Sequence, residues 1–280
     1  MSTKARPPIR WNGGKTYRLP QIGALLAGRD WSGWHYVEAM AGGGALYWRF
    51  AHLFRTRAIN DVIPELTNLY RVLRDDVGGL ITTLRDSDRF WFRSRDDPAS
   101  KNHFLALRTQ YGKGTPLRRA ATFLYLNKCS INGLHRLNRS GGFNAAPGDA
   151  VNPQIVDEPL LRACAASLAG TLVLTQDATA VVRTLARSRS QRVLMMVDPP
   201  YDAGYTGYAG GFSQADQARL VRAMLNSGAR YIYTNSDTSY VRSLFAGAAG
   251  VSMTTLPLKH KVGPKEARGK TTGELLIHNL

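Results

Sequence analysis

Asp198, Pro199, Pro200 and Tyr201 stand in one run directly behind the apolar stretch Val193-Leu194-Met195-Met196-Val197. A carboxylate, a backbone short of donors and an aromatic ring together suit holding a planar ring that bears an amino group. An unbroken apolar run of this length reads as a parallel strand buried on both faces by crossover helices. Two consecutive prolines then end the strand and place Asp198 at its carboxyl end. Open α/β sheets bind ligands at that end. A second reading has Pro-Pro merely terminating a strand and Asp198 capping the next turn, and these residues alone leave both readings open.

Other positions bear chemistry of their own. Arg10-Trp11-Asn12-Gly13-Gly14-Lys15-Thr16 ends like a phosphate loop, but that motif needs a glycine where Ile9 stands and a buried strand before it. What remains is a glycine turn that brings Trp11 near Lys15, a lysine able to meet a carboxylate. Tyr36 to Gly44 reads as a short strand running into a glycine-rich loop, then a helix through Leu46, Tyr47 and Phe50. A full dinucleotide fingerprint needs a glycine at Tyr47, so that match fails at its last position. Ala58-Ile59-Asn60-Asp61 comes next as a second short strand ending in an acid, where such folds place the group that binds ribose hydroxyls; Asp61 equally suits an N-cap.

These positions need an α/β frame. Leu66, Leu69, Tyr70 and Leu73 recur at helical steps, with Pro64 in the first turn. Leu172-Val173-Leu174 is a strand ending near Asp177, and Val181 to Leu185 begins a helix. Ser213 caps a helix with Asp216 in its first turn and Ala218, Val221, Met224 and Leu225 as its buried face. Tyr231-Ile232-Tyr233 and Glu274-Leu275-Leu276-Ile277 are further strands, and Asn235 to Thr238 closes the first of them. Gly204 to Gly211, rich in glycine and tyrosine, reads as a mobile loop able to close over a substrate.

Residues 76–150 break the rhythm, with few strand-like runs and many basic residues interleaved with aromatic ones. This reads as a separate, mostly helical module inserted in the α/β domain. Within it, Asn127 to Asn144 forms a loop and hairpin with its tip at Ser140-Gly141-Gly142. Arginines and asparagines there suit phosphates and base edges.

Composition agrees. The 280 residues carry 37 Lys and Arg against 20 Asp and Glu, a net charge of +17. That imbalance favours a polyanionic partner through counterion release. No apolar run reaches a membrane span, the basic start lacks the apolar core of a secretory signal, and the cytoplasm is expected. Two cysteines and six histidines fall in no metal or disulfide spacing, so no metal is expected.

Taken in order, these segments resemble the Dam-like DNA adenine-N6 methyltransferases, the D12 class of the α group. The resemblance is carried by Arg10 to Lys15, Val37 to Gly44, Asn60-Asp61, Phe123 to Asn127 with Asn132-Gly133-Leu134 and Arg139 to Asn144, Asp198 to Tyr201, and Asn235 to Thr238. It implies a Rossmann-like class I methyltransferase sheet, formed by residues 1–75 and 151–280, with a target-recognition domain at 76–150. It implies methyl transfer from S-adenosyl-L-methionine to the N6 amino group of an adenine flipped out of double-stranded DNA, with Asp198, Pro199, Pro200 and Tyr201 catalytic. Trp11, Lys15, Glu38, Ala39, Gly42, Gly44, Asp61, Asp177 and Asp198 are the cofactor-binding residues so implied. Arg119, Lys128, Asn132, Arg136, Asn138 and Arg139 are those for DNA.

The chain departs from the family pattern at Ala39-Met40, where Pro-Phe is more usual, and at Cys129-Ser130-Ile131, where aromatic and glycine residues are usual. The second departure lies in the recognition module, so GATC specificity is not implied. A monomer is the expected state, and both an orphan enzyme and a partner of a restriction endonuclease remain open. Rival readings are methylation of cytosine N4 or of RNA adenine, a nicotinamide oxidoreductase, and a catalytically silent DNA-binding protein.

Overall fold

The computed structural model describes residues 4–86, 88–186, 192–202, 211–259 and 271–280. Seven strands form one sheet: β1 (His35–Glu38), β2 (Thr56–Asn60), β3 (Leu172–Leu174), β4 (Val193–Val197), β5 (Arg230–Ser236), β6 (Ser252–Lys259) and β7 (Thr271–His278). Their order is β3-β2-β1-β4-β5-β7-β6. The first five are parallel, whereas β7 runs antiparallel to both β5 and β6. This is the expected doubly wound sheet of an α/β protein, with one reversed strand near its edge. Strand β6 is not legible in the sequence because Pro257 interrupts it; an edge strand tolerates the missing donor.

Strand β4 is buried along its whole length. Leu194 and Met196 enter one apolar cluster with Tyr36, Ile59 and Ile232, while Val193, Met195 and Val197 enter the other with Val37, Tyr231 and Tyr233. Covered on both faces, the strand has no need of polar alternation.

The helices pack on these faces. In chain order they are α1 (Leu19–Leu26), α2 (Ala45–Phe50), α3 (Pro64–Asp75), α4 (Val77–Leu84), α5 (Pro98–Arg108), α6 (Pro116–Cys129), α7 (Glu158–Leu168), α8 (Ala178–Val181), α9 (Gln214–Leu225) and α10 (Ser239–Ser243). In α3, Leu66, Leu69, Tyr70 and Leu73 are all fully buried, as their spacing predicts. The expected helix from Val181 becomes a π-helical turn over Val182–Ala186, continuing α8. Ser213 and Asp216 form a capping box at the start of α9, but the buried face differs from the expected one. Gln217, Leu220, Val221 and Met224 are buried, while Ala218 and Leu225 are half-buried. Gln217 has the polarity of a surface residue, although its amide is committed to the loop behind β4.

Residues 76–150 hold α4, α5, α6 and a short hairpin. Phe104, Phe123, Leu124 and Tyr125 belong to the same continuous apolar cluster as Leu66 and Tyr70 of α3. The segment therefore shares its core with the sheet. Leu137 bridges Phe143 across the hairpin, and Asn138 N donates to Gly142 O at 2.8 Å around its tip. Both cysteines are buried and unpaired. Among the described residues no helix is long and apolar enough to cross a membrane.

Candidate active site

The parallel strands end side by side. Glu38 lies level with Met196 and with Ile59, and Val197 with Tyr233, so Asp198 leaves the sheet next to Thr234. Thr234 donates its hydroxyl to Asp198 Oδ1 at 2.6 Å. The other oxygen meets Lys15 Nζ at 2.7 Å, and the same ammonium donates to Gly13 O at 2.8 Å. Lys15 is buried, while the Asp198 side chain keeps 23% of its surface exposed. Desolvation raises the Asp198 carboxyl pKa, and the adjacent Lys15 opposes that rise. Asp198 thus holds a fixed orientation with acceptor capacity still facing outward, since an ionised carboxylate offers about four lone-pair sites.

The loop behind it is equally tied. Gln217 Nε2 donates to Pro200 O at 2.7 Å, and Gln217 Oε1 accepts from Tyr233 and Asn235. Asn235 Oδ1 in turn accepts from Asp202 N at 3.0 Å. Lys15 Nζ stands 4.7 Å from the Tyr201 ring centroid, and the Tyr201 hydroxyl donates to Glu274, which is fully buried on β7. The glycine- and tyrosine-rich loop from Gly204 to Gly210 lies outside the described residues.

Two further acids lie beside the glycine loop. Glu38 accepts from the Tyr36 hydroxyl at 2.6 Å and is 4% exposed. Desolvation pushes its carboxyl up to about 8, more than the Tyr36 hydrogen bond restores. One charged hydrogen bond contributes roughly 1.5–3 kcal/mol, whereas burying the ion costs several. Asp61 accepts from Gly42 N at 2.9 Å and Ile63 N at 3.0 Å, and burial raises its pKa too. Ile63, not Asp61, occupies the N-cap position of α3. Asn60, to which the sequence alone assigns no separate role, donates to Ala39 O at 2.8 Å and Gln176 O at 3.0 Å, lacing three strand ends together. Its one signal in the sequence is a side-chain amide at the end of an apolar strand.

Gly42 and Gly44 have φ of 49° and 71°, a region that favours glycine. A Cβ at Gly42 would come within 2.5 Å of Trp11 Nε1. Trp11 therefore lies against the loop and stacks on His135 at 5.7 Å, with burial lowering the His135 pKa to about 4. Asp177 stands at the edge of this group. It caps α8 through Ala180 N and pairs with Arg219 at 3.2 Å.

Among the described residues no Lys or Arg forms an ion pair with Glu38 or Asp61, in contrast to Asp198 and Glu274. Two buried acids around a positive-φ glycine loop fit a ligand that brings its own positive charge and hydroxyl groups. S-adenosylmethionine has an ammonium, a sulfonium and a ribose, so the residues present fit it. Among the same residues no group of three His, Cys, Asp or Glu is gathered as for a metal ion.

The DNA candidates lie elsewhere on the surface. Asn132, Arg136, Asn138 and Arg139 are exposed on the recognition loop and hairpin. Asn138 Oδ1 accepts from Ser140 N, Ser140 Oγ and Gly142 N, so this side chain builds the turn. Arg136 Nη2 holds Asn144 O at 2.8 Å. Lys128 is half-buried, and burial lowers its pKa. Arg119 is clamped by the buried Glu65 carboxylate, which gives it a structural partner that its sequence position does not disclose.

Glu38 makes stability depend on pH. With its pKa raised in the folded state from 4.5 to about 8, the native protein binds this proton more tightly than the unfolded chain. Stability from this group is therefore full below the unfolded value and falls as pH rises towards the folded one. Glu38→Gln, which keeps an acceptor for Tyr36, should lose less stability than the parent between pH 5 and pH 9. Urea midpoints across that range check this, and parallel pH curves for the two proteins would contradict it.

Comparison with known proteins identifies the family. Residues 11–257 match the family model of the D12 class N6 adenine-specific DNA methyltransferases. The chain is 31% identical over 264 residues to the type II methyltransferase M.MjaIII of Methanocaldococcus jannaschii, covering 87% of this chain and 89% of that one. It is 28% identical over 256 residues to a DNA adenine methylase of Vibrio cholerae, covering 88% and 86%. With the DNA N-6-adenine-methyltransferase of Escherichia phage P1 it shares 30% over 253 residues, covering 86% of this chain and 31% of that protein. Carrying the ordered strand-end acids and matching the family model over most of its length, the chain belongs to the D12 class N6 adenine-specific DNA methyltransferases.

Proposed function

We propose that the chain methylates the N6 amino group of an adenine flipped out of double-stranded DNA, with Asp198 to Tyr201 as the base site. The observation that carries this reading is the Asp198 carboxylate, tethered by Lys15 and Thr234 at a strand end and joined directly to Pro199, Pro200 and Tyr201. Adenine is a poor amino nucleophile because its lone pair is delocalised into the ring. Asp198 and the Pro199 carbonyl accept the two amino hydrogens, which favours a pyramidal nitrogen with its lone pair directed outward. Charge developing at N6 is stabilised by Asp198, which also takes up the proton that the nitrogen sheds. S-adenosylmethionine, when bound, supplies the electrophilic methyl group.

The remaining assignments belong to the same proposal. Trp11 and the loop from Glu38 through Ala39 to Gly42 and Gly44 hold the methionine end, where the cofactor's ammonium meets the Glu38 carboxylate. Asp61 takes the ribose, and Asp177, already engaged by Arg219, the adenine edge. Lys15 acts through Asp198, to which it is bonded. A stacked base cannot be reached in the duplex, so the target is extruded onto the Tyr201 ring. Residues 76–150 form the target-recognition part, with Lys128, Asn132, Arg136 and Arg139 towards the DNA and Asn138 shaping their hairpin. Arg119 supports this part from beneath, through Glu65. The protein acts in the cytoplasm as a monomer.

Tritium transfer from labelled S-adenosylmethionine to duplex DNA, followed by nucleoside mass analysis, tests the reaction. The expected product is N6-methyladenine, with Asp198→Ala slower by about a hundredfold or more. Methylcytosine as the product, or an Asp198→Ala variant as fast as the parent, would contradict it. Replacing Arg136 and Arg139 by alanine should weaken DNA binding and flatten its salt dependence by about 0.9 in log–log slope for each phosphate no longer neutralised. Titrations at several salt concentrations read this, and an unchanged slope would remove both residues from the interface.

A further inference from the structure

We propose that Glu274 is a positioning residue for the base site, its buried carboxylate fixing the Tyr201 ring on which the extruded adenine stacks. The inference rests on the methyltransferase reading above. Glu274 lies on the reversed strand β7, level with Ser236 of β5 and Leu256 of β6. Because β7 runs against its neighbours, its early residues arrive at the end of the sheet where the parallel strands finish. Residue 274 is thus delivered to the site from the far end of the chain, 73 positions from Tyr201.

The carboxylate is fully buried and takes three donors. Its Oε1 accepts from the Tyr201 hydroxyl and from the Tyr17 hydroxyl, the latter at 2.7 Å. Its Oε2 accepts from Arg18 Nε, whose Nη2 donates to Pro257 O at 2.8 Å. An ionised carboxylate only accepts, so both phenols are obliged to donate and their directions are set. Tyr201 is held at its tip by this bond and over one face by Lys15, 4.7 Å from the centroid, so in this proposal the base stacks on the other face. Tyr17 is held in the same way and has Arg18 4.9 Å from its ring centroid, so the two rings share one anchor. Glu274 acts through Tyr201 and does not itself reach the amino group, a distinction that its test must capture.

The test uses the full-length protein and a duplex whose methylated adenine has been mapped by sequencing. Tyr201→Phe keeps the ring and removes only the bond to Glu274. It should lower kcat by about tenfold and leave KM for S-adenosylmethionine within about twofold. With 2-aminopurine at the target position, the bound duplex should fluoresce more brightly than with the parent, because the extruded base stacks on a less constrained ring. Glu274→Gln should show the same signature, and the double variant should be no slower than Glu274→Gln alone. If Glu274→Gln fails to fold with Arg18 left unpaired, Tyr201→Phe decides the matter by itself. Parent-like kcat and fluorescence in Tyr201→Phe, or losses that multiply in the double variant, overturn the role of Glu274 alone. A parent protein that transfers no methyl group to any DNA overturns both this inference and the enzymatic reading.

Discussion

The ion pair between Lys15 and Asp198 is the constraint on which the rest of the site depends. A carboxylate at the end of a buried strand is driven by desolvation to hold its proton, and a protonated Asp198 is a poor acceptor for an amino group. Lys15 opposes that drift from the N-terminal glycine turn, a segment 183 residues away in sequence. Such a pair is no stability device in itself, since the cost of drying two charges offsets much of their attraction. Its effect is to favour a charged Asp198 at the strand end against desolvation. Arg18 and Glu274 repeat the arrangement one helical turn further on, so this side of the site carries two acids and two matched cations.

The side of the site that holds Glu38 and Asp61 is built differently. Glu38 and Asp61 are buried without a lysine or arginine partner among the described residues, and both hold their protons more tightly than usual. The asymmetry divides the carboxyl end of the sheet into a half whose acids are matched by cations and a half whose acids, among the described residues, have none. Each half is tied by its own side-chain amide, Asn60 lacing the ends of β1, β2 and β3 and Gln217 the loop behind β4 to β5.

Much of this is legible in the sequence. Asp198 to Tyr201, the glycine loop and Asp61 announce themselves because unusual residues stand at strand ends, where local chemistry and topology coincide. The unbroken apolar run of β4 and the periodicity of α3 point to the sheet and its first covering helix. The capping residues of α9 are plain, yet its buried face differs from the pattern because Gln217 looks like a surface residue. Glu274, Arg18, Tyr17 and Thr234 are not legible as site residues. Each is ordinary in its local context: Thr234 reaches Asp198 through the β4–β5 pairing, whereas Glu274, Arg18 and Tyr17 meet because β7 reverses direction and the N-terminal segment folds back over the sheet. Arg119 shows the converse, an arginine in a basic segment whose partner is an internal acid, Glu65, 54 residues earlier.

The central claim is that Lys15 keeps Asp198 ionised for catalysis, and the pH dependence of kcat tests it most directly. Removing the ammonium with Lys15→Gln should move the acidic limb of the profile to higher pH by about one unit or more, because an adjacent opposite charge lowers a carboxyl pKa by about one to three units. Lys15→Arg should restore part of that shift. An acidic limb that stays in place in Lys15→Gln, with only the height of the profile reduced, would contradict the account.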